Sequence, residues 1–216
     1  MKTKAQMLLA GVRASFDGDV TLAFDRAAAA GRLSVTTADA TPLVQMLGLG
    51  AGDLARRIPL DANARLDISP ARLAFDDISG ALAGARVSGR LAHAAQGVLS
   101  GALAFDTLSA PFLASLVLGP AQPAAAGAPW SQIRFAPSLF DPPRADIAIS
   151  ARQVDLGIAT AGDARADIAF SPGGLDAKNI EMRIGGASLA GDVALRREGA
   201  AALVRANIRA TDLPVE

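Results

Sequence analysis

The residue types that most often perform catalysis are sparse in this chain. Its 216 residues include one histidine, His93, and no cysteine. A catalytic triad or a multi-histidine metal site therefore has at most one imidazole available, and thiolate nucleophiles, disulfides and zinc ribbons are excluded. His93 stands in "RLAHAAQG", at the end of a predicted strand, where we expect a structural role.

Paired carboxylates could serve general acid–base chemistry, and Asp76 and Asp77 are adjacent. On a strand, neighbouring side chains point to opposite faces of the sheet. We therefore expect this pair to belong to a solvated turn or strand end and not to flank a common substrate.

A second acidic group could suggest calcium or magnesium. It comprises Asp141, Asp146, Asp155, Asp163 and Asp167. The D-x-[DN]-x-[DN]-G pattern of a calcium loop is missing, and basic residues lie nearby in the sequence, namely Arg144, Arg152 and Arg165. We expect cross-strand charge pairing from these side chains, with no bound metal and no cofactor.

The glycine-rich stretches "GALAGARVSG" and "GGASLAG" do not match a phosphate-binding loop. Neither contains G-x-x-x-x-G-K-[ST], and neither stands as G-x-G-x-x-G between a strand and a helix. Their glycines predict turns and bulges. The single tryptophan, Trp130, is expected to be a packing anchor.

The charge of the chain gives no indication of a nucleic-acid-binding surface. The chain has 21 basic and 21 acidic residues, mixed along its length. A nucleic-acid partner usually requires a basic patch or stripe, so we expect none.

Alternation of apolar and polar residues dominates the elements that would position any site. In "VTLAF", Val20, Leu22 and Phe24 alternate with Thr21 and Ala23. This period of two is typical of half-buried antiparallel strands, and turn signals such as Gly185-Gly186 separate the segments. The sequence predicts a mainly β fold of roughly a dozen short strands. They would form a long antiparallel meander that builds a twisted, curved sheet or groove.

An internal repeat has an offset of 102 residues. "ISPARLAFDDISGALAGARVSGRL", which begins at Ile68, returns as "FSPGGLDAKNIEMRIGGASLAGDV", with glycines and apolar positions in step. Two short helical insertions, near 42–49 and 111–118, share a proline start and a glycine stop. We predict a first repeat unit at 1–118, a Pro/Ala-rich connection at 119–130 and a second unit at 131–216. The pattern allows either one continuous sheet or two domains across this connection.

The summed apolar face is the feature that most clearly indicates a function. If the alternation keeps its phase, large apolar side chains from many strands share one side of the sheet, and the predicted helices are few and short for covering it. A partly uncovered apolar sheet implies a ligand or a partner. The candidate lipid-facing residues are Leu33, Val35, Phe75, Val87, Leu91, Phe105, Ile147, Ile149, Ile168, Phe170, Ile184, Leu189, Val193, Val204 and Ile208.

These features resemble the C-terminal region of the AsmA family of bacterial envelope proteins. The resemblance rests on "GARVSGRLA" and "GASLAGDVAL" in register and on strand exits such as "DATPLVQMLGL" and "TDLP". It implies a long β-groove in the periplasm that conveys phospholipids toward the outer membrane, with an N-terminal helix as inner-membrane tether and no catalytic residue. The chain carries no such anchor and stops where a third insertion would begin, so we expect a fragment.

The expected function is therefore non-enzymatic: an apolar groove for phospholipid or another acyl-chain ligand, possible contacts with other envelope proteins, and membrane association only through the missing anchor. Two alternatives remain. One is a structural or assembly protein whose helices fill its own apolar face; the other is a hydrolytic β-solenoid, which would need convergent carboxylates where the alternation places apolar residues. Alternation of apolar and polar residues is common to an open groove, a closed barrel and a sandwich, so it does not distinguish these three forms of the sheet.

Overall fold

The described part of the chain forms one sheet of twelve strands that follow each other in sequence order, β1 to β12. The computed structural model describes residues 1–9, 11–23, 26–40, 58–94, 97–118, 144–199 and 201–212. This architecture confirms the predicted mainly β fold with an open, curved sheet. The elements are β1 Lys2–Leu9, β2 Val12–Ala23, β3 Arg26–Thr37, β4 Leu60–Ser69, β5 Arg72–Leu82, β6 Ala85–Ala94, β7 Leu99–Ser109, α1 Ala110–Leu118, β8 Ala145–Asp155, β9 Thr160–Ser171, β10 Gly174–Ile184, β11 Ala187–Glu198 and β12 Ala201–Thr211.

Tight turns join most neighbouring strands. Between β5 and β6, Ala83 and Gly84 both have positive φ, 52° and 88°; between β10 and β11, Gly185 and Gly186 have 56° and 92°. Two successive residues with positive φ form the turn whose twist matches that of a hairpin. The turns therefore bring consecutive strands together as antiparallel pairs.

One junction departs from the predicted antiparallel meander. β7 and β8 pair in parallel, with Leu99 opposite Ala145 and Leu103 opposite Ile149. Parallel neighbours require a long crossover between them, and here the crossover contains α1 and the residues up to 143. The sheet is therefore continuous from β1 to β12, and it reverses its pattern of pairing only at this point.

The repeat of 102 residues is present in the backbone. Register shifts in β5 and β10 occur at equivalent positions, where Asp77 and Asn179 have φ of 53° and 51°. Gly89 and Gly191 also correspond, and a Cβ at either would overlap a carbonyl oxygen of the next strand. The segments β4–β6 and β9–β11 therefore share bulges and close approaches as well as sequence.

The first strand was not predicted. Lys2–Leu9 pairs with β2 across a turn at Gly11, whose φ is 81°. The alternation of Lys2, Lys4 and Gln6 with small or apolar residues is the period-two signal that indicates this strand. The apolar run starting at Met7 thus belongs to a hairpin in this structure.

Helix α1 agrees with the second predicted insertion, at 111–118. Ser109 acts as its N-cap, since its Oγ accepts a hydrogen bond from the Phe112 N–H at 3.3 Å. Pro111 lies in the first turn, where its missing N–H costs nothing. The other predicted insertion, at 42–49, and the connection at 119–130 lie outside the described residues.

The main apolar core lies beneath α1. Val117 is 1% exposed and packs with buried residues of the second repeat, Ile168, Leu175, Ile180 and Leu195. A smaller cluster around Ala161, Val154 and Ala164 continues it toward the parallel junction. The described burial is therefore concentrated on β8–β11.

Candidate functional site

The two faces of the sheet differ sharply in composition. Residues directly opposite each other in paired strands share a face, so the registers assign each paired strand residue to one side. Most of the large apolar residues share one side of the sheet, although Leu8 and Leu203 lie on the other. Among the Asp, Glu, Lys and Arg side chains that the registers assign in the described strands, only Arg197 lies on the side with most of the large apolar residues. We call that side the apolar face and the other the polar face.

Ion pairs across neighbouring strands occupy the polar face. They are Lys4–Asp17 at 3.2 Å, Arg65–Asp77 at 3.0 Å, Arg86–Asp106 at 3.0 Å, Arg183–Asp163 at 3.9 Å and Arg196–Asp176 at 2.6 Å. Most of these side chains are well exposed, so each pair contributes little to stability. Together they keep one side of the sheet solvated.

The registers place all fifteen candidate residues on the apolar face. Two neighbouring rows in the middle of the sheet show this, since Val87 lies opposite Phe105, and Leu103, two residues earlier on the same strand, pairs with Ile149. Farther along, Val193 pairs with Ala206, two residues from Val204. The structure thus brings the candidates together on one surface; whether they contact lipid stays a prediction.

Their exposure divides the candidates into three groups. Ile147 and Ile168 are 9% and 5% exposed and belong to the protein's own core. Val204 and Ile208, on the edge strand β12, are 59% and 46% exposed. The others are half-buried, namely Leu33, Val35, Phe75, Val87, Leu91, Phe105, Ile149, Phe170, Ile184, Leu189 and Val193.

An apolar cavity of about 440 Å³ lies between α1 and the apolar face. Leu113, Ala114 and Leu118 of the helix form its roof, and the floor includes Ile149 and Ile168. Nearly all of the lining is hydrocarbon, and the volume falls within the range of small-molecule sites. Four of the fifteen candidates line it, the other two being Val193 and Val204.

Arg197 fastens the helix at one end of this cavity. Its Nη1 donates to the carbonyl oxygen of Leu118 at 3.3 Å, and its Nε donates to that of Gly199 at 3.1 Å. The last carbonyls of a helix lack partners within the helix and carry partial negative charge, so a guanidinium stabilises them. This explains why a cation lies on the apolar side.

Sequence reasoning missed two cavity residues because the alternation changes phase where the pairing of β7, β8 and β9 is interrupted, at Asp106, Arg152 and Asp163. Leu108 and Val154 line the cavity although each follows an apolar-face residue, Phe105 or Ala151, by three positions. A change of phase within a strand moves the residues after it to the other face. Leu195 was also missed, although it follows Val193 by simple alternation and its pattern was sufficient to find it.

The expectation that Asp76 and Asp77 point to opposite faces was wrong. Asp77 lies at a bulge with φ of 53°, and its carboxylate pairs with Arg65 at 3.0 Å, while Asp76 is directly opposite Arg65 in the register. Both carboxylates therefore lie on the polar face and border one shallow depression with Arg90. The bulge removes the alternation that would have separated them.

The equivalent bulge in the second repeat carries reversed charges. Arg65, Asp76 and Arg90 correspond to Asp167, Lys178 and Asp192, and Asp77 corresponds to Asn179. Asn179 donates to Asp167 through its side chain at 2.7 Å and to Asp192 through its backbone at 3.0 Å. Reversal of charge preserves mutual pairing but would not preserve acid–base chemistry, so these groups stabilise bulges.

The remaining candidates for metal chemistry are dispersed. Asp163 pairs with Arg183, and Asp155 accepts a hydrogen bond from the Gly157 N–H at 2.8 Å in a turn. The predicted pairing with Arg144, Arg152 or Arg165 is not found among the described residues, and Asp141 and Trp130 lie outside them. Within the described ranges, no three His, Asp or Glu side chains are arranged to hold a metal ion.

His93 is half-buried on the apolar face, between Leu73 and Leu99.

Asp106 shows the clearest electrostatic perturbation of the described groups. The Arg86 guanidinium beside Asp106 holds the pKa of that carboxyl below its ordinary value, and hydrogen bonds from the backbone N–H groups of Arg86 and Thr107 act in the same direction. The N–H donors lie at 2.7 and 2.8 Å from Oδ1. The carboxylate thus fixes the point where β7 departs from regular alternation.

No helix in the described segments is both long enough and apolar enough to cross a membrane. Comparisons of the chain with protein-family models, with curated proteins and with solved structures return no match.

Proposed function

We propose that this chain is a non-enzymatic part of an AsmA-like periplasmic protein whose apolar β-surface accommodates acyl chains during phospholipid transfer or outer-membrane biogenesis. In the full-length protein the surface would be tethered to the inner membrane. The observation that carries the proposal is that the fifteen candidate residues share one face, while the charged side chains that the registers assign lie on the other face, apart from Arg197. A sheet with one continuous apolar side can solvate hydrocarbon tails while headgroups stay in water.

The energetics of this contact are passive. Each methylene transferred from water to an apolar surface gains about 0.8 kcal/mol, so a chain of ordinary length supplies substantial affinity without any catalytic group. The half-buried side chains at Val87, Ile149 and Leu189 sample three widely spaced strands of this surface. They are therefore the positions at which a charge should interfere most clearly.

The test is lipid recovery from protein expressed in a Gram-negative host and purified with minimal detergent. We expect native mass spectrometry and lipid extraction to detect bound phospholipid in the unaltered chain. Changing Val87, Ile149 and Leu189 together to Asp should remove most of this lipid, because charges would then line the apolar face.

The chain offers a matched control at adjacent positions. Ser88, Ser150 and Ser188 neighbour those residues and lie on the polar face. Changing these serines to Asp adds the same charge to the same strands, and we expect bound lipid to be retained. A lipid-free, compact monomer that excludes hydrophobic dyes would show instead that the apolar face is an ordinary core.

A second candidate function is assembly with other envelope proteins through strand pairing. The open edges of the sheet favour it: β12 is exposed along nearly its whole length, and its outer side pairs with no described strand. Unpaired strand edges are ready templates for another chain. Co-purification of a protein with no lipid would favour this function over the first.

A further inference from the structure

The cavity under α1 extends across the strands. Its lining begins at Leu108 on β7 and reaches Val204 on β12, so it crosses six consecutive strands. Five spacings of about 4.8 Å give roughly 24 Å across the strands. The two ends also differ along the strands, since Leu108 lies in the row of Ala161 on β9 and Val204 in the row of Phe170. The cavity is therefore elongated and runs diagonally over the sheet, with a length of roughly 35 Å.

Its volume makes this space narrow. A volume of 440 Å³ spread over roughly 35 Å leaves no width for two chains side by side. At roughly 30 Å³ for a group the size of water, the space holds about fifteen such groups. Small floor residues, Ala164, Ala166 and Ala177, provide this room beneath the helix.

We infer that the cavity is a slot for one unbranched hydrocarbon chain, lying across the strands, and that it selects against rings, branches and a second chain. This inference rests on the proposed function and adds the shape of the ligand. The exposed end is at Val204, which is 59% exposed, so the polar end of the ligand emerges beside β12. A diacyl lipid would place only one of its chains in the slot.

The test is a chain-length series measured by displacement of cis-parinarate, an unbranched fluorescent fatty acid. Straight-chain carboxylates should gain about fourfold in affinity for each added methylene. The gain should stop at roughly fifteen carbons, when the slot is full. A sterol of comparable apolar area should displace the probe poorly.

A substitution in the floor of the cavity tests whether the volume of the slot sets the chain length at which affinity stops increasing. Ala166→Leu fills part of the slot, and we expect the plateau to move to chains shorter by roughly three carbons, the number of carbons added. Ala148→Leu is the control, since Ala148 lies on the polar face of the adjacent strand, and it should leave the plateau unchanged. Retained strand content and cooperative thermal melting check that both variants fold.

The outcomes separate the two proposals. A plateau that shifts only in Ala166→Leu supports the slot. Equal binding of the sterol, or a plateau at the same chain length in Ala166→Leu as in the unaltered chain, overturns the slot. Bound phospholipid would still support the proposed function in that case. Failure to bind cis-parinarate or any chain, with no lipid in the purified protein, overturns both.

Discussion

Individual carboxylates stabilise the places where this sheet departs from regular alternation. At Asp106 one carboxyl accepts hydrogen bonds from the backbone N–H of Arg86 and of Thr107, and it pairs with the Arg86 side chain. Such contacts favour the ionised carboxylate. The role of this residue is therefore to fix the backbone, and its charge should be visible in the pH dependence of stability.

We expect the Asp106 carboxyl to titrate below the ordinary value of about 3.9, and Arg86→Gln to raise its pKa toward that value. The lowered pKa of Asp106 stabilises the fold fully above about pH 4, and the stabilisation is lost as the pH falls through the lowered pKa. NMR titration of the side-chain carbonyl carbon measures the pKa directly.

The same argument predicts the behaviour of Asp106→Asn. Its deficit in free energy of unfolding relative to the unaltered chain should be constant near neutral pH and should shrink below about pH 4. Urea unfolding at several pH values measures this deficit, with Asp146→Asn on the polar face as control. A deficit independent of pH would contradict the assigned cause.

At the scale of elements, α1 is the one described helix that covers the sheet. Its buried side is formed by Leu113, Ala114 and Val117, whereas Leu116 is not part of the contact with the core. A helix of nine residues is too short to be stable without such packing. Its position over the cavity therefore depends on a few apolar contacts and on Arg197.

We expect Val117→Asp to detach α1 and to increase binding of a hydrophobic dye while the strand signal in circular dichroism is retained. Burying an unpaired charge at a position 1% exposed is unfavourable by several kcal/mol. Leu116→Asp, one position earlier on the helix, should leave dye binding nearly unchanged. Equal dye binding by the two variants would show that the helix does not protect the apolar face.

The strands themselves were largely predictable from sequence, but their faces were only partly so. Alternation and turn residues locate β5 and β10, because Gly, Pro and paired turn residues end each run. The bulge at Asp77 was not predictable, since an extra residue in a strand has no strong local signal and is stabilised by partners such as Arg65. The parallel pairing of β7 and β8 depends on where a crossover returns, which alternation does not encode.

At the scale of the whole molecule, stability is unevenly distributed. Each strand contacts mainly its neighbours in sequence, so the sheet is quasi-one-dimensional. Burial is concentrated under α1, whereas edge residues such as Leu8 and Val204 are 72% and 59% exposed. Elements with few buried contacts open at lower free energy than core strands.

We therefore expect hydrogen exchange to reveal a gradient along the sheet. Amides of β9 and β10 should exchange slowest, because they lie under the helix and are paired on both sides, and amides of β1 and β12 should exchange fastest. Exchange measured by mass spectrometry on peptide fragments checks this order. Uniform protection over all twelve strands would mean that the molecule opens only as a single cooperative unit.

The parallel junction between β7 and β8 has a geometric consequence. The unit β3–β7 has five strands, as has β8–β12, and five antiparallel strands end in the direction in which they began. A parallel step then starts the next unit in that direction too, with its apolar side unchanged. Successive units are thus related by translation along the sheet, about 24 Å per unit, and not by inversion. A fold with this symmetry can lengthen by whole units without reversing its polarity or turning its water-facing side inward.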